Sequence, residues 1–423
     1  MIGKMITVAL GVAVAGAVAT PALAQYSQPE TQQQPSSAPD TRSPAPAARA
    51  VNISRGAVKA IGELQAAVNA NDTASYSAKL AAAQAAAKTP ADRLMIAQLQ
   101  LRAATNRKDE PGMAAAIEAI IASGGVAAAD LPRLYTAQAK LHYNAKQFDK
   151  AAPALERAMA SNPNDSDLLL LLAETRAGQG RNAEAVSLLQ RAIDARAASG
   201  AKAEESVYRR AVALALKGGL PTLDLAHKWV AAYPSPTSWK DAISIYRNTA
   251  KPDDATLFDV LRLARATGTL SGENDVALYA FFGIENWAAA DAQKVVDEAI
   301  AAGTFNASAP KNRELLVALK TAKGRDSASL AASAREVAAA PTGRNALKVG
   351  DGFYGVGDYA RAVELYRLAL SKGSVDANVV NLRIGAALAR AGDKAGATAA
   401  LKAVGGKQAE LAKFWMLYLA TRA

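Results

Sequence analysis

Six consecutive residues, Gly350-Asp351-Gly352-Phe353-Tyr354-Gly355, spell G-x-G-x-x-G, the spacing with which a glycine-rich turn lays backbone amides against a pyrophosphate. That chemistry needs a strand before the turn and a helix after it. Here no strand pattern precedes Gly350, which falls inside a helical run, so the glycines are expected to permit tight helix packing and a turn at Gly357-Asp358. Gly405-Gly406-Lys407 has the end of a phosphate loop, but Leu401 stands at its first glycine position and Gln408 replaces the Ser/Thr. Asn164-Asp165-Ser166-Asp167 lacks the central glycine and closing glutamate of a calcium loop and reads as a helix-capping turn. With 2 histidines (His142 and His227) and 0 cysteines, neither a thiolate or His-rich metal site nor a cysteine nucleophile is expected. No cofactor follows from these residues.

The elements that carry them are helices. The chain has 423 residues, 51% hydrophobic but only 5% aromatic, which excludes wholesale disorder and suits several domains or one repeat array. Residues 1–24 show Lys4, an apolar stretch from Met5 to Ala19, and Ala22-Leu23-Ala24, the small-x-small pattern of a signal peptide cleaved before Gln25. Export to the periplasm is the expectation, with secretion as the alternative. Residues 25–53 are rich in Gln, Pro and Ser and too poor in apolar side chains to offset their ordering entropy, so they read as a disordered linker. From Ser54 onward, Ala-rich segments of helical length alternate with breakers such as Thr89-Pro90, Asn162-Pro163, Gly303, Gly324 and Gly405-Gly406, without strand-type alternation.

A spacing then repeats. Ala139 precedes Ala151, Leu155 and Ala158; the same intervals join Ala173 to Ala185, Leu189 and Ala192, Gly350 to Ala362, Tyr366 and Ala369, and Gly385 to Ala397, Leu401 and Val404. Ala280 with Ala292, Val296 and Ala299 is a looser copy. Small residues twelve apart let two antiparallel helices approach closely, and the larger residue four positions on fills the gap beside the next pair. Phe148 and Tyr359 place an aromatic at the start of the second helix, and Pro163 ends it.

These residues resemble the tetratricopeptide repeat family, in which units of about 34 residues stack as helix pairs. The resemblance implies an all-α, right-handed superhelical solenoid. It is strongest over 132–199, within N-terminal repeats 54–252, and over about 343–411, within C-terminal repeats 343–423, with degenerate pairs across 253–342. Its apolar last helix, Phe414–Leu419 at its heart, is expected to cap the stack, with a self-associating contact as the alternative. In that family first helices line a concave binding face. By the resemblance, Arg133, Lys140, Tyr143 and Asn144, then Arg344, Lys348 and Tyr354, then Arg383 and Arg390, would hold a partner segment.

The formal charge is +11, and residues 343–423 hold twelve basic against six acidic groups. A protein or peptide partner is expected, an acidic one being one reading of the charge, while an exported chain makes nucleic acid an unfavourable reading. The resulting expectation is a non-enzymatic interaction scaffold of a bacterial envelope. A rival reading is an enzyme or polymer-binding protein of cell-wall metabolism, since Glu204-Glu205-Ser206 resembles the Glu-Ser pair of lytic transglycosylases. The sequence names no partner and sets no oligomeric state.

Overall fold

The computed structural model describes residues 53–422, the side chains of residues 325, 327 and 328 excepted. The expected signal peptide and nearly all of the expected linker therefore lie outside the described residues. Every regular element among the described residues is a helix, and none is long and apolar enough to cross a membrane. The described residues divide into two compact units, one ending at Leu131 and the other beginning at Pro132, a division inside the stretch 54–252 that the sequence treats as continuous.

The first unit holds α1 (Val58–Asn69), α2 (Thr73–Ala86), α3 (Pro90–Asn106) and α4 (Glu110–Ala122). Ile61, Leu64 and Val68 of α1 pack with Ala83 of α2 and with Ile96, Leu99 and Ala103 of α3. The start of α3 follows from its sequence: Thr89 Oγ1 accepts from the Asp92 amide at 3.1 Å, Asp92 accepts from the Thr89 amide at 3.0 Å, and Pro90 opens the first turn. Asp92 also accepts from the Ser54 amide and hydroxyl, both at 2.8 Å. Burial opposes its charge, yet these bonds hold its carboxyl well below the usual range.

The second unit continues with α5 (Leu131–Asn144), α6 (Phe148–Ala158), α7 (Ser166–Gly178), α8 (Asn182–Ala198), α9 (Glu205–Lys217), α10 (Leu223–Ala232) and α11 (Pro236–Ala250). It goes on through α12 (Asp254–Ala266), α13 (Glu273–Glu285), α14 (Ala289–Ala301) and α15 (Pro310–Glu336). It ends with α16 (Arg344–Val356), α17 (Tyr359–Lys372), α18 (Ala377–Ala391), α19 (Lys394–Lys402) and α20 (Ala409–Thr421). The small residues of every repeat copy are buried: Ala139, Ala151, Ala173, Ala185, Ala280, Ala292, Ala362 and Ala397 are each 0% exposed. At Gly350 a Cβ would lie 2.6 Å from the Tyr366 ring, and at Gly385 2.5 Å from Leu401, so these glycines mark points where two helices nearly touch. Seven residues after each small residue the backbone turns left-handed, at Lys146, Gly180, Trp287, Gly357 and Gly392. The repeat therefore fixes its turn as well as its packing.

Two features depart from the sequence reading. Gly324, expected as a breaker, lies within α15, a helix of 27 residues that begins at Pro310; a single helical glycine costs only about 1 kcal/mol, which packing overrides. The last helix does more than end the stack, because α20 packs on α18 and α19 and also returns to α10. Phe414 meets His227 of α10 and Trp239 and Tyr246 of α11, while Trp415, Tyr418 and Leu419 are buried. The apolar face offered for self-association is thus spent within the chain.

Candidate functional site

The first helices of the N-terminal repeats present one group of the expected partner residues. On α5, Arg133 and Asn144 are exposed and Lys140 and Tyr143 half-buried. Tyr143 is held edge-on against Phe148 at 5.7 Å, and burial, with Glu174 nearby, pushes its hydroxyl above the ordinary value. On the next two first helices, Glu174 of α7 accepts two parallel bonds from Arg210 of α9, Nε and Nη2 each at 2.8 Å. Arg133, Lys140 and Asn144 form no side-chain hydrogen bond or ion pair among the described residues. The face therefore carries an internally neutralised pair beside three uncommitted polar side chains.

The second and third expected groups are placed very differently. Arg344 and Lys348 are exposed near the start of α16, and Arg344 Nε reaches the Ser374 carbonyl at 3.4 Å. Tyr354, on the same helix, is buried at 7% exposure, and Arg383 of α18 at 4%. Arg383 donates from Nε to Asp259 at 3.0 Å and from Nη1 to Asp351 at 2.7 Å. Arg262 of α12 donates from Nη1 to the other Asp351 oxygen at 2.9 Å, which also accepts from Tyr366 Oη at 2.8 Å. The Arg262 guanidinium lies over Phe258 and Tyr354, 4.2 and 4.5 Å from the ring centroids. Arg390 is half-buried, its Nε donating to Tyr359 Oη at 3.2 Å. The expectation that Tyr354 and Arg383 face a partner is therefore corrected: both belong to a buried ionic core made when α12 packs against α18, and Arg390 lies largely inside as well.

The motifs with other possible chemistry are absorbed by the fold. Asp351 of the G-x-G-x-x-G run is the acceptor at the centre of that core, inside α16, with no strand before it. Asp165 caps α7 through the amides of Asp167 and Leu168 at 3.0 and 3.1 Å. Glu205 accepts from the Trp229 indole at 3.0 Å and so secures α9 to α10. Among the described residues no cluster of His, Asp and Glu could hold a metal ion.

A family model described as tetratricopeptide repeat matches residues 143–203, the stretch that contains Tyr143, Glu174 and the packed alanines of α7 and α8. Residues 143–203 carry the tetratricopeptide repeat pattern. Among solved structures it is similar to YrrB, described as a TPR protein with an unusual peptide-binding site, at 14% identity over 43% of this chain and 89% of that one, with a TM-score of 0.30. It is similar to MamA AMB-1 at 18% identity over 42% and 99% of the two chains, with a TM-score of 0.28. Pseudomonas aeruginosa PilF matches at 12% identity over 46% and 84%, with a TM-score of 0.26. No curated protein matches the chain.

Within the tetratricopeptide repeats, sequence reasoning missed Glu174 and Arg210, although both lie on first helices with the spacing of neighbouring repeats. Asp259, Arg262 and Asp351 were missed for a different reason. Their partners lie 89 and 124 residues away, and no local signal marks such a pairing.

Proposed function

We propose that this protein is an exported, non-enzymatic interaction scaffold of a bacterial envelope, and that its tetratricopeptide repeats hold a partner segment on the first-helix face of α5, α7 and α9. Protein and peptide binding is the general role of such repeats. The observation that carries the reading is the set of uncommitted side chains Arg133, Lys140 and Asn144 beside the half-buried ring of Tyr143 on α5. Cationic and amide donors without internal acceptors, next to an aromatic surface, suit a partner rich in carboxylates and backbone carbonyls. The signal-type sequence at residues 1–24 supports export, and the excess of basic groups supports an acidic partner.

The test is crosslinking capture from intact cells with wild type and an Arg133→Ala/Lys140→Ala/Asn144→Ala triple variant. These side chains make no hydrogen bond or ion pair among the described residues, so the thermal midpoint should stay nearly unchanged while affinity for the captured partner falls about tenfold, or about 1.4 kcal/mol. Binding should also weaken as salt rises toward ~0.1 M, where the screening length is about 10 Å. Equal capture by wild type and triple variant would contradict the assigned face. Export has its own check: protein from the periplasmic fraction should begin at Gln25 by mass spectrometry, and an intact Met1 start confined to the cytoplasm would overturn it.

A further inference from the structure

Between α12, α13, α14, α16, α17 and α18 lies a cavity of about 110 Å³. A water needs roughly 10–15 Å³ of such space, so the cavity admits a few water-sized groups and is too small for a drug-sized ligand, whose pockets run to about 300 Å³ or more. Its lining is cationic: Arg262, Arg265, Lys294 and Arg390 face one carboxylate, Asp291. That carboxylate is already taken, by Arg265 Nε at 3.1 Å and by the Tyr279 hydroxyl. Arg265 is further neutralised by Glu298 at 3.1 Å.

Four lining groups are left with donors to spare. Arg390 meets no carboxylate among the described residues; only its Nε is engaged, on a tyrosine hydroxyl. The Tyr354 hydroxyl has no hydrogen-bond partner among the described residues although the residue is only 7% exposed. Burial raises its pKa, so it remains a donor throughout the physiological range. Lys294 stands exposed at the same cavity with no ion pair among the described residues. Arg262 adds a further unmet demand, because its Nε and Nη2 are buried without an acceptor. In Arg210 the same guanidinium edge holds a carboxylate by two bonds. Donors of Arg390, Tyr354 and Lys294 line the cavity without an acceptor, and one oxyanion can accept from several of them at once.

We propose that this cavity binds a small oxyanion, a phosphate or a carboxylate group, with Arg390 and Tyr354 as its principal donors and Lys294 at its exposed side. The site lies on the second unit's own helices and does not depend on the α5 face.

The test titrates the full chain with inorganic phosphate and, separately, with acetate, with ionic strength held constant by sodium chloride so that screening does not vary. Saturable binding by calorimetry, with a matching rise in thermal midpoint, is expected for at least one anion. Saturation by phosphate alone assigns a phosphate group, and by acetate alone a carboxylate. Arg390→Met should weaken binding at least tenfold, and Lys294→Ala a few-fold. Tyr354→Phe keeps the ring against Arg262 and removes only the hydroxyl; it should fold as wild type and bind more weakly. Lys240→Ala, at an exposed residue of α11 away from the cavity, should bind as wild type. Absence of saturable binding by both anions, or Tyr354→Phe and Lys294→Ala variants that bind like wild type, would overturn the proposal.

Discussion

The repeats of residues 132–199 and the junction of α12 with α16 and α18 are built from opposite materials. In the repeats the contacts are apolar and local: Ala139, Ala151, Ala173 and Ala185 are wholly buried, and ion pairs such as Arg196–Asp167 and Arg181–Glu184 lie near the surface. At the junction four charged residues, Asp259, Arg262, Asp351 and Arg383, are 2%, 3%, 0% and 4% exposed, and the bonds that join different helices span 32 to 124 residues of sequence. Stacking one helix pair on the next needs only a small residue at the right interval, and any copy can meet its neighbour. Bringing α12 against a helix more than a hundred residues later requires a contact that only one partner satisfies. Opposite charges with fixed geometry do this, because a mismatched register would leave them buried and unpaired.

The largest effect expected at this contrast comes from Asp351→Ala. It leaves Arg262 and Arg383 sharing one carboxylate and strands the Tyr366 hydroxyl. Breaking a buried pair in this way costs about 3–5 kcal/mol, to be read from urea unfolding at neutral pH. A loss under about 1 kcal/mol, the scale of an exposed pair, would mean that the quartet does not lock the junction. Ala362→Leu probes the apolar material instead. Ala362 is 0% exposed at a close approach beside Gly350, so three added carbons must displace α16 from α17. Overpacking of that kind costs about 1–3 kcal/mol, and an unchanged thermal midpoint would contradict the repeat register. If Ala362→Leu proved more damaging than Asp351→Ala, the contrast drawn between the two regions would be reversed.

The same contrast explains what could be read from the sequence. The all-helical fold, the buried alanines and the turn at Gly357 are legible because each is set by residues within one repeat. The α5 residues could be placed on a first helix for that reason. Tyr354 and Arg383 obeyed the same periodic rule and yet lie inside, because a first-helix face stays open only while nothing folds across it. Asp259 and Asp351 carry no spacing that announces their common arginine. The return of α20 to α10 was equally hidden. Its apolar residues show that Phe414 must be covered, but not that His227, Trp239 and Tyr246 cover it.

That return supplies the mildest test, a dependence of stability on pH that the repeats alone should lack. The His227 ring lies 3.9 Å from the Phe414 ring, and its Nε2 is buried without a partner. Burial pushes its pKa below the ordinary value of 6.5; Glu410 and Asp224 favour the charged form and Lys413 opposes it, but desolvation prevails. With the folded value depressed, the unfolded chain binds the proton more readily, so stability is full above about pH 6.5 and declines as pH falls through and below it. The carboxylates held low by their bonds, Asp92 among them, act at lower pH, where the ordinary value is 3.8. Unfolding followed between pH 8 and pH 5 should therefore show a loss in wild type that His227→Leu abolishes. An identical slope in the two proteins would remove His227 from the account and leave the docking of α20 to its apolar side chains alone.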